Sequence, residues 1–173
     1  MASFLFSPTL YNVGLTASKG AVIGAALWSA GSSTAAVLLL PGIYSTVNLS
    51  PKLAAQQWAH FYWTLSGIVP KCELYTVLAC SSFAYLGYKE NSAALAWKIW
   101  AAAAVTHPFG WMWVWNFMLK TPSEPLVAIG KQEKQSTPQV VLPLIQDFTW
   151  KMGVRAFFPW MVGALAFVAT QSQ

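Results

Sequence analysis

Apolar residues gather along the chain into four runs, separated by shorter polar stretches. A helix needs about 20 predominantly apolar residues to cross a bilayer, and the runs fall at about 20–40, 69–88, 93–118 and 144–170. The first contains Gly20 and Gly24 at small-xxx-small spacing, carries Ser29, Ser32 and Ser33 further on, and ends at Pro41 and Gly42. Small residues let another helix approach closely, so this face is expected to pack on a neighbour rather than to bind a ligand. Residues 51–66 follow a different rhythm, with Trp58, Phe61, Tyr62 and Leu65 on one helical stripe and Gln56, His60 and Thr64 on another. This segment is too short and polar to span, and is expected to form an additional amphipathic helix at the interface. Pro108 lies inside the third run and should kink it, because proline cannot donate to the carbonyl of Ala104. Residues 121–142, with Pro122, Pro125 and Pro138, read as a loop. The expected fold is all-α: an integral membrane four-helix bundle forming one domain over residues 1–173.

Composition strengthens the membrane reading. Of 173 residues, 56% are hydrophobic and 9% charged, against roughly 25% charged in a soluble globular domain. The net charge of +5 comes from Lys and Arg residues scattered singly, which excludes a nucleic-acid patch. With four spans both termini share one side, which receives Lys19, Lys89 and Lys98. The other receives Lys52, Lys71, Lys120, Lys131, Lys134, Lys151 and Arg155, and this richer side is expected to be cytosolic. The amino-terminal stretch has no basic residue before Lys19 and no evident cleavage site, so an uncleaved first span is expected. Cys72 and Cys80 stand about 12 Å apart along one helix and cannot bridge each other there; they read as packing residues.

An ionisable side chain in hydrocarbon costs about 2.5 to 3.5 kcal/mol on insertion scales, so those deep in a span need a partner or a purpose. His107, near the middle of the third run, is the expected general base, with a hydrogen-bonded structural histidine as the alternative. Asp147, Lys151 and Arg155 are spaced four apart on the last helix. The first two suit a solvated i,i+4 pair. Arg155, about one and a half turns from Trp150, should point inward and hold an acid, an oxyanion or a carbonyl. Lys71, Glu73, Asn116 and Arg155 enter from one side of the membrane, so a pocket opening there is expected. Trp100 and Trp111 share the His107 stripe and could sandwich a flat apolar ligand. Tyr75, His60 and Gln57 complete the expected binding set. No zinc, P-loop or dinucleotide motif is present, and His60 and His107 would have to reach a haem from different segments. Neither metal nor cofactor is expected. The partners that fit are membrane lipid, a hydrophobic small molecule and further copies of the chain.

From Ser29 to Ala169 the chain resembles the small fungal membrane proteins of the anthrone oxygenase family. The resemblance rests on Pro41, Gln57-Trp58, Gly67, Pro70, Tyr85, Pro108-Phe109, Asn116, Leu119, Trp150 and Arg155. His107, where an apolar residue is expected, and the Trp-rich third run depart from the family pattern. The resemblance implies oxidation of an anthrone to an anthraquinone by dioxygen without metal or flavin, in the endoplasmic reticulum membrane with the pocket open to the cytosol. His107 would then be the base, Arg155 and Asn116 the donors to the enolate oxygen, and the tryptophans the walls. Two other classes fit the same scaffold: a cofactor-free cyclase or isomerase of a polyketide or terpenoid, and a non-catalytic lipid-binding or scaffolding protein.

Overall fold

The structure, a computed structural model, describes residues 8–132 and 136–172. The first seven residues of the amino-terminal stretch and Lys134 therefore lie outside the described residues. Every regular element among those described is helical. Four helices are long: α1 (Pro8–Leu39), α3 (Pro51–Glu90), α4 (Leu95–Trp113) and α6 (Pro138–Gln171). Two are short, α2 (Tyr44–Leu49) and α5 (Glu124–Gly130). The stretches Asn12–Leu49 and Pro138–Gln171 are long and apolar enough to cross a membrane.

The amphipathic segment and the second span are not separate elements. They form the single 40-residue helix α3, about 60 Å long at 1.5 Å per residue. The Ser50 hydroxyl caps it by accepting from the Leu53 amide at 3.3 Å, and Pro51 occupies the first turn, where its missing N–H is no loss. Pro70 sits inside α3 and removes one ladder bond. Buried residues flank it, with Ala54, Ala55 and Trp58 in the first turns and Val69, Glu73, Thr76, Cys80 and Ala84 around and beyond it, and their packing holds the helix together.

The expected loop at 121–142 is likewise mostly helical. Helix α4 runs through Pro108 and passes into a π-helical segment, Val114–Ser123, interrupted by the extended backbone of Thr121 (φ −146°, ψ 115°), the conformation favoured before a proline. Pro125 and Pro138 stand in the first turns of α5 and α6. They start helices rather than prevent them. Both outer spans also begin earlier than expected, at Pro8 and Pro138.

The long helices pack in the cyclic order α1, α6, α4, α3, with α3 closing on α1. Neighbours α1 and α6 run antiparallel, since Leu27 lies beside Gly163 whereas Val37 lies beside Gly153. Two hydrophobic clusters result. One, toward the α3–α4 turn, is built on Val22, Ala26, Cys80, Trp100, Ala103 and Ala166. The other, toward α2 and α5, is built on Leu40, Trp58, Met118, Leu126, Ile145 and Phe148. Gly20 and Gly24 face outward, with no other helix against them, so the close approach expected there does not occur within this chain.

Candidate functional site

A layer of polar side chains belonging to neither cluster draws on each long helix: Ser29 and Ser33 from α1, Glu73 from α3, Trp111 from α4 and Arg155 from α6. Glu73 is 2% exposed and Arg155 8%, so each charge is largely withdrawn from bulk solvent and relies on protein partners. Glu73 Oε1 accepts from Arg155 Nη2 at 2.6 Å and from Ser29 Oγ at 2.8 Å; its Oε2 accepts from Trp111 Nε1 at 2.8 Å. Arg155 Nη1 donates to Ser33 Oγ at 2.5 Å. Charge-assisted bonds of this kind are roughly twice as strong as neutral ones, and here they fix the guanidinium in one orientation.

The pair borders a cavity of about 230 Å³. Its walls are chiefly apolar, with Phe61, Tyr62 and Leu65 from α3, Val114 and Met118 from the π-helical segment, and Phe148 and Met152 from α6. The volume is slightly below the roughly 300 to 1,000 Å³ usual for small-molecule sites, so it suits a compact ligand or the inserted part of a larger one. A guanidinium carries five N–H groups. Two are engaged by Glu73 and Ser33, which leaves donors for an oxygen placed in the cavity.

Of the expected site residues, Glu73, Trp111 and Arg155 come together at this cavity. His107 does not line it. The imidazole is 1% exposed, one turn before Trp111 and within electrostatic range of Glu73 and Arg155, but its Nε2 is buried without a partner. Asn116 is exposed and donates to its own helix, at Met112 O (2.7 Å), because the helix continues without turning it inward. Trp100 is buried in the other cluster, its ring 4.9 Å from that of Phe83. Lys71, Tyr75, His60 and Gln57 are all exposed, because the buried stripe of α3 passes between them. Lys151 pairs with Asp147 at 2.6 Å and also donates to Thr121 O at 3.0 Å.

Three contributors were not among the expected site residues. Ser29 and Ser33 read as packing residues, yet they bond the buried ion pair; their i,i+4 spacing opposite a lone inward arginine was the available signal. Ser123 lines the cavity and gave no signal at all within a stretch read as loop. No family model, curated protein or solved structure matches the chain.

Proposed function

We propose that this chain is an integral membrane enzyme whose four long helices cross the bilayer as one bundle and which oxidises an anthrone-type polycyclic ketone with dioxygen, without a cofactor. The outward faces of the long helices support the membrane arrangement: Leu38, Leu78, Val105, Phe109, Phe157 and Phe167 are each more than half exposed. In water so many outward large apolar side chains would form an aggregation surface; in lipid they are solvated. Several lysines stand toward the ends, with Lys52, Lys120, Lys131 and Lys151 at the end nearer the cavity, whereas Lys71 points outward midway along α3. By the excess of lysine that end faces the cytosol, and the membrane is that of the endoplasmic reticulum.

The observation that carries the reading is a guanidinium with spare donors, locked in place at the wall of an apolar cavity. Held against a ketone oxygen, it stabilises the enolate formed when a proton leaves the ring carbon opposite. Glu73, the carboxylate bordering the cavity, takes over the base role first assigned to His107. The carbanion reacts with one dioxygen, and loss of one water leaves the quinone, so the ketone is oxidised and dioxygen is reduced. Apolar walls keep bulk water from reprotonating the carbon.

Dioxygen uptake by the purified protein with a dihydroxyanthrone tests this. One dioxygen should disappear per quinone formed, at a rate well above spontaneous oxidation. Arg155→Lys, which keeps the charge but loses the fork of donors, should lower kcat/KM on the order of a hundredfold. A rate equal to the spontaneous one sinks the oxygenase reading, and conversion of a polyene or terpenoid without dioxygen uptake would favour the cyclase.

A further inference from the structure

A second cavity, of about 360 Å³, opens at the opposite end of the bundle, beside the α3–α4 turn. Its volume falls within the roughly 300 to 1,000 Å³ usual for small-molecule sites. Its position follows from how the helices end. Leu27 lies beside Gly163 and Val37 beside Gly153, so each step forward on α1 matches a step back on α6, and Lys19 comes level with the end of α6 at Gln171. Helix α1 starts earlier, at Pro8, so about three turns of it stand beyond α6. This overhang walls one side of the cavity, through Leu15 and Lys19.

The lining is graded in polarity. Phe83 and Trp100, with ring centroids 4.9 Å apart, form the deep end. Glu90, Asn91 and Ser172, all exposed, stand with Lys19 where the helices end. Phe83 is about two turns below Glu90 on α3. Between the two levels stands Trp97, fixed by the bond from its Nε1 to Ser92 O at 2.9 Å and by edge-on contact with Tyr88 at 5.2 Å. The cavity thus passes from apolar toward the middle of the helices to charged at their ends, the same direction as a lipid of the adjoining leaflet. Two opposite charges stand at the charged end. Lys19 and Glu90 come from different helices and lie within electrostatic range of each other. They are not bridged to one another, since the salt bridges among the described residues are Lys151–Asp147 and Arg155–Glu73. A fatty acid or an anionic lipid would suit Lys19 and be repelled by Glu90. A zwitterionic head suits both, and the three N–H donors of a lysine let Lys19 meet a phosphate alongside its other bonds.

We propose that this cavity holds one phospholipid with a primary-amine zwitterionic headgroup, its ammonium on Glu90, its phosphate on Lys19 and part of one acyl chain against Phe83 and Trp97. A primary ammonium donates charge-assisted hydrogen bonds to a carboxylate, which a quaternary one cannot. The bound lipid ties the overhang of α1 to the α3–α4 turn. The inference rests on the reading of the long helices as spans, which puts the cavity at headgroup level, and is independent of the reaction assigned to the other cavity.

Native mass spectrometry of the full chain in detergent tests this. The probes are phosphatidylethanolamine, phosphatidylcholine and phosphatidylglycerol with the same acyl chains, and glycerophosphoethanolamine as the headgroup without chains. One phosphatidylethanolamine should bind saturably, on the order of tenfold more tightly than phosphatidylglycerol, with phosphatidylcholine between them. Glycerophosphoethanolamine should bind far more weakly than the lipid that carries its headgroup. Glu90→Gln should erase the preference for the ethanolamine lipid, and Glu90→Lys should reverse it in favour of phosphatidylglycerol. Glu90 is exposed, so both variants should unfold at the wild-type temperature when no lipid is added. Equal affinity for the three lipids overturns the proposal, as does a preference that survives in both Glu90 variants. Equal binding of glycerophosphoethanolamine overturns it too, because the apolar wall would then have no part. Flotation with vesicles separates the two readings. A chain that stays behind is not in the bilayer, and the reading of the spans fails together with the inference; a chain that floats but shows no lipid preference loses only the lipid site.

Discussion

The two halves of the core are built on different principles. Toward the α3–α4 turn the interior is mostly alanine and valine. There the backbones lie so near each other that a Cβ placed on Gly87 would meet the Trp97 Cβ at 3.1 Å. Toward α2 and α5 the interior is Trp58, Leu126, Ile145, Phe148 and other large side chains. Trp58 stacks on Tyr62 with ring centroids 5.1 Å apart and meets Phe148 edge-on at 5.0 Å. Small side chains let the helices approach closely, although a cavity of about 360 Å³ opens at this end beside Phe83, Gly87, Trp97 and Trp100. Large rigid rings hold helices apart and leave space where their outlines do not match. The cavity of the candidate site lies on that second side, against the Glu73–Arg155 layer that divides the halves. The halves thus differ in how closely their helices approach and in the size of the side chains between them.

The dividing layer offers the strongest way to break this picture. Arg155→Met leaves the Glu73 carboxylate buried with its chief partner gone, and should lower unfolding stability by about 3–5 kcal/mol. Combining it with Glu73→Gln removes both charges and should recover most of the loss, since a buried pair contributes little net stability against neutral replacements of similar size. Denaturant titration of both proteins in the same detergent checks the prediction. Equal losses for the single and double variants would show that the layer acts as packing rather than as a charge pair.

A smaller effect separates the halves themselves. Ala166 is fully buried in the tight half, so Ala166→Leu should force neighbouring helices apart at a cost of about 1–3 kcal/mol. Val114 is half-buried and borders the cavity, where Val114→Leu finds room and should leave stability nearly unchanged while weakening binding of a dihydroxyanthraquinone. Similar destabilisation at both positions would mean that the halves do not differ in packing.

How much of this was legible in the sequence differs between the helices and the site. Four long apolar stretches announced four long helices, while at Pro41 and Gly42 the α-helix only tightens to a 3-10 turn and helix continues to Leu49. Other prolines misled in the same way. Pro70 lies inside α3 and Pro125 and Pro138 begin helices, because a proline breaks a helix only where a donor is missed and packing does not compensate. The site was harder. In water a polar face reports the outside of a helix; a helix apolar all round reports no direction. Arg155 betrayed its inward side through its angle to Trp150, which is exposed. Lys71, Tyr75, Asn116 and His60 had no such reference, and all four stand on the outer side of their helices. Glu73 and Trp111 fell within the expected set, but that they bond each other depends on two helices meeting, which no single helix records.

The smallest effects are those of adding one methyl group to a glycine, and here the two faces of the helices should respond with opposite signs. Gly110 is buried where α4 crosses α6, and a Cβ there would stand 3.2 Å from the Phe158 Cβ and 3.3 Å from its Cγ. Neither atom can swing away, since the first is fixed to the backbone and the second carries the ring. Gly110→Ala should therefore lose about 1 kcal/mol, with the strain of separating two helices exceeding the gain in helix propensity. Gly24 on α1 is exposed and has nothing within 4 Å of such an atom, so Gly24→Ala should gain about 0.4–1 kcal/mol by restricting the unfolded chain. Thermal unfolding of the monomer in detergent reads both. A loss at Gly24 confined to the membrane-embedded protein would mean that this outward face of α1 seats a second copy of the chain, and that the close approach its glycines permit is made between molecules.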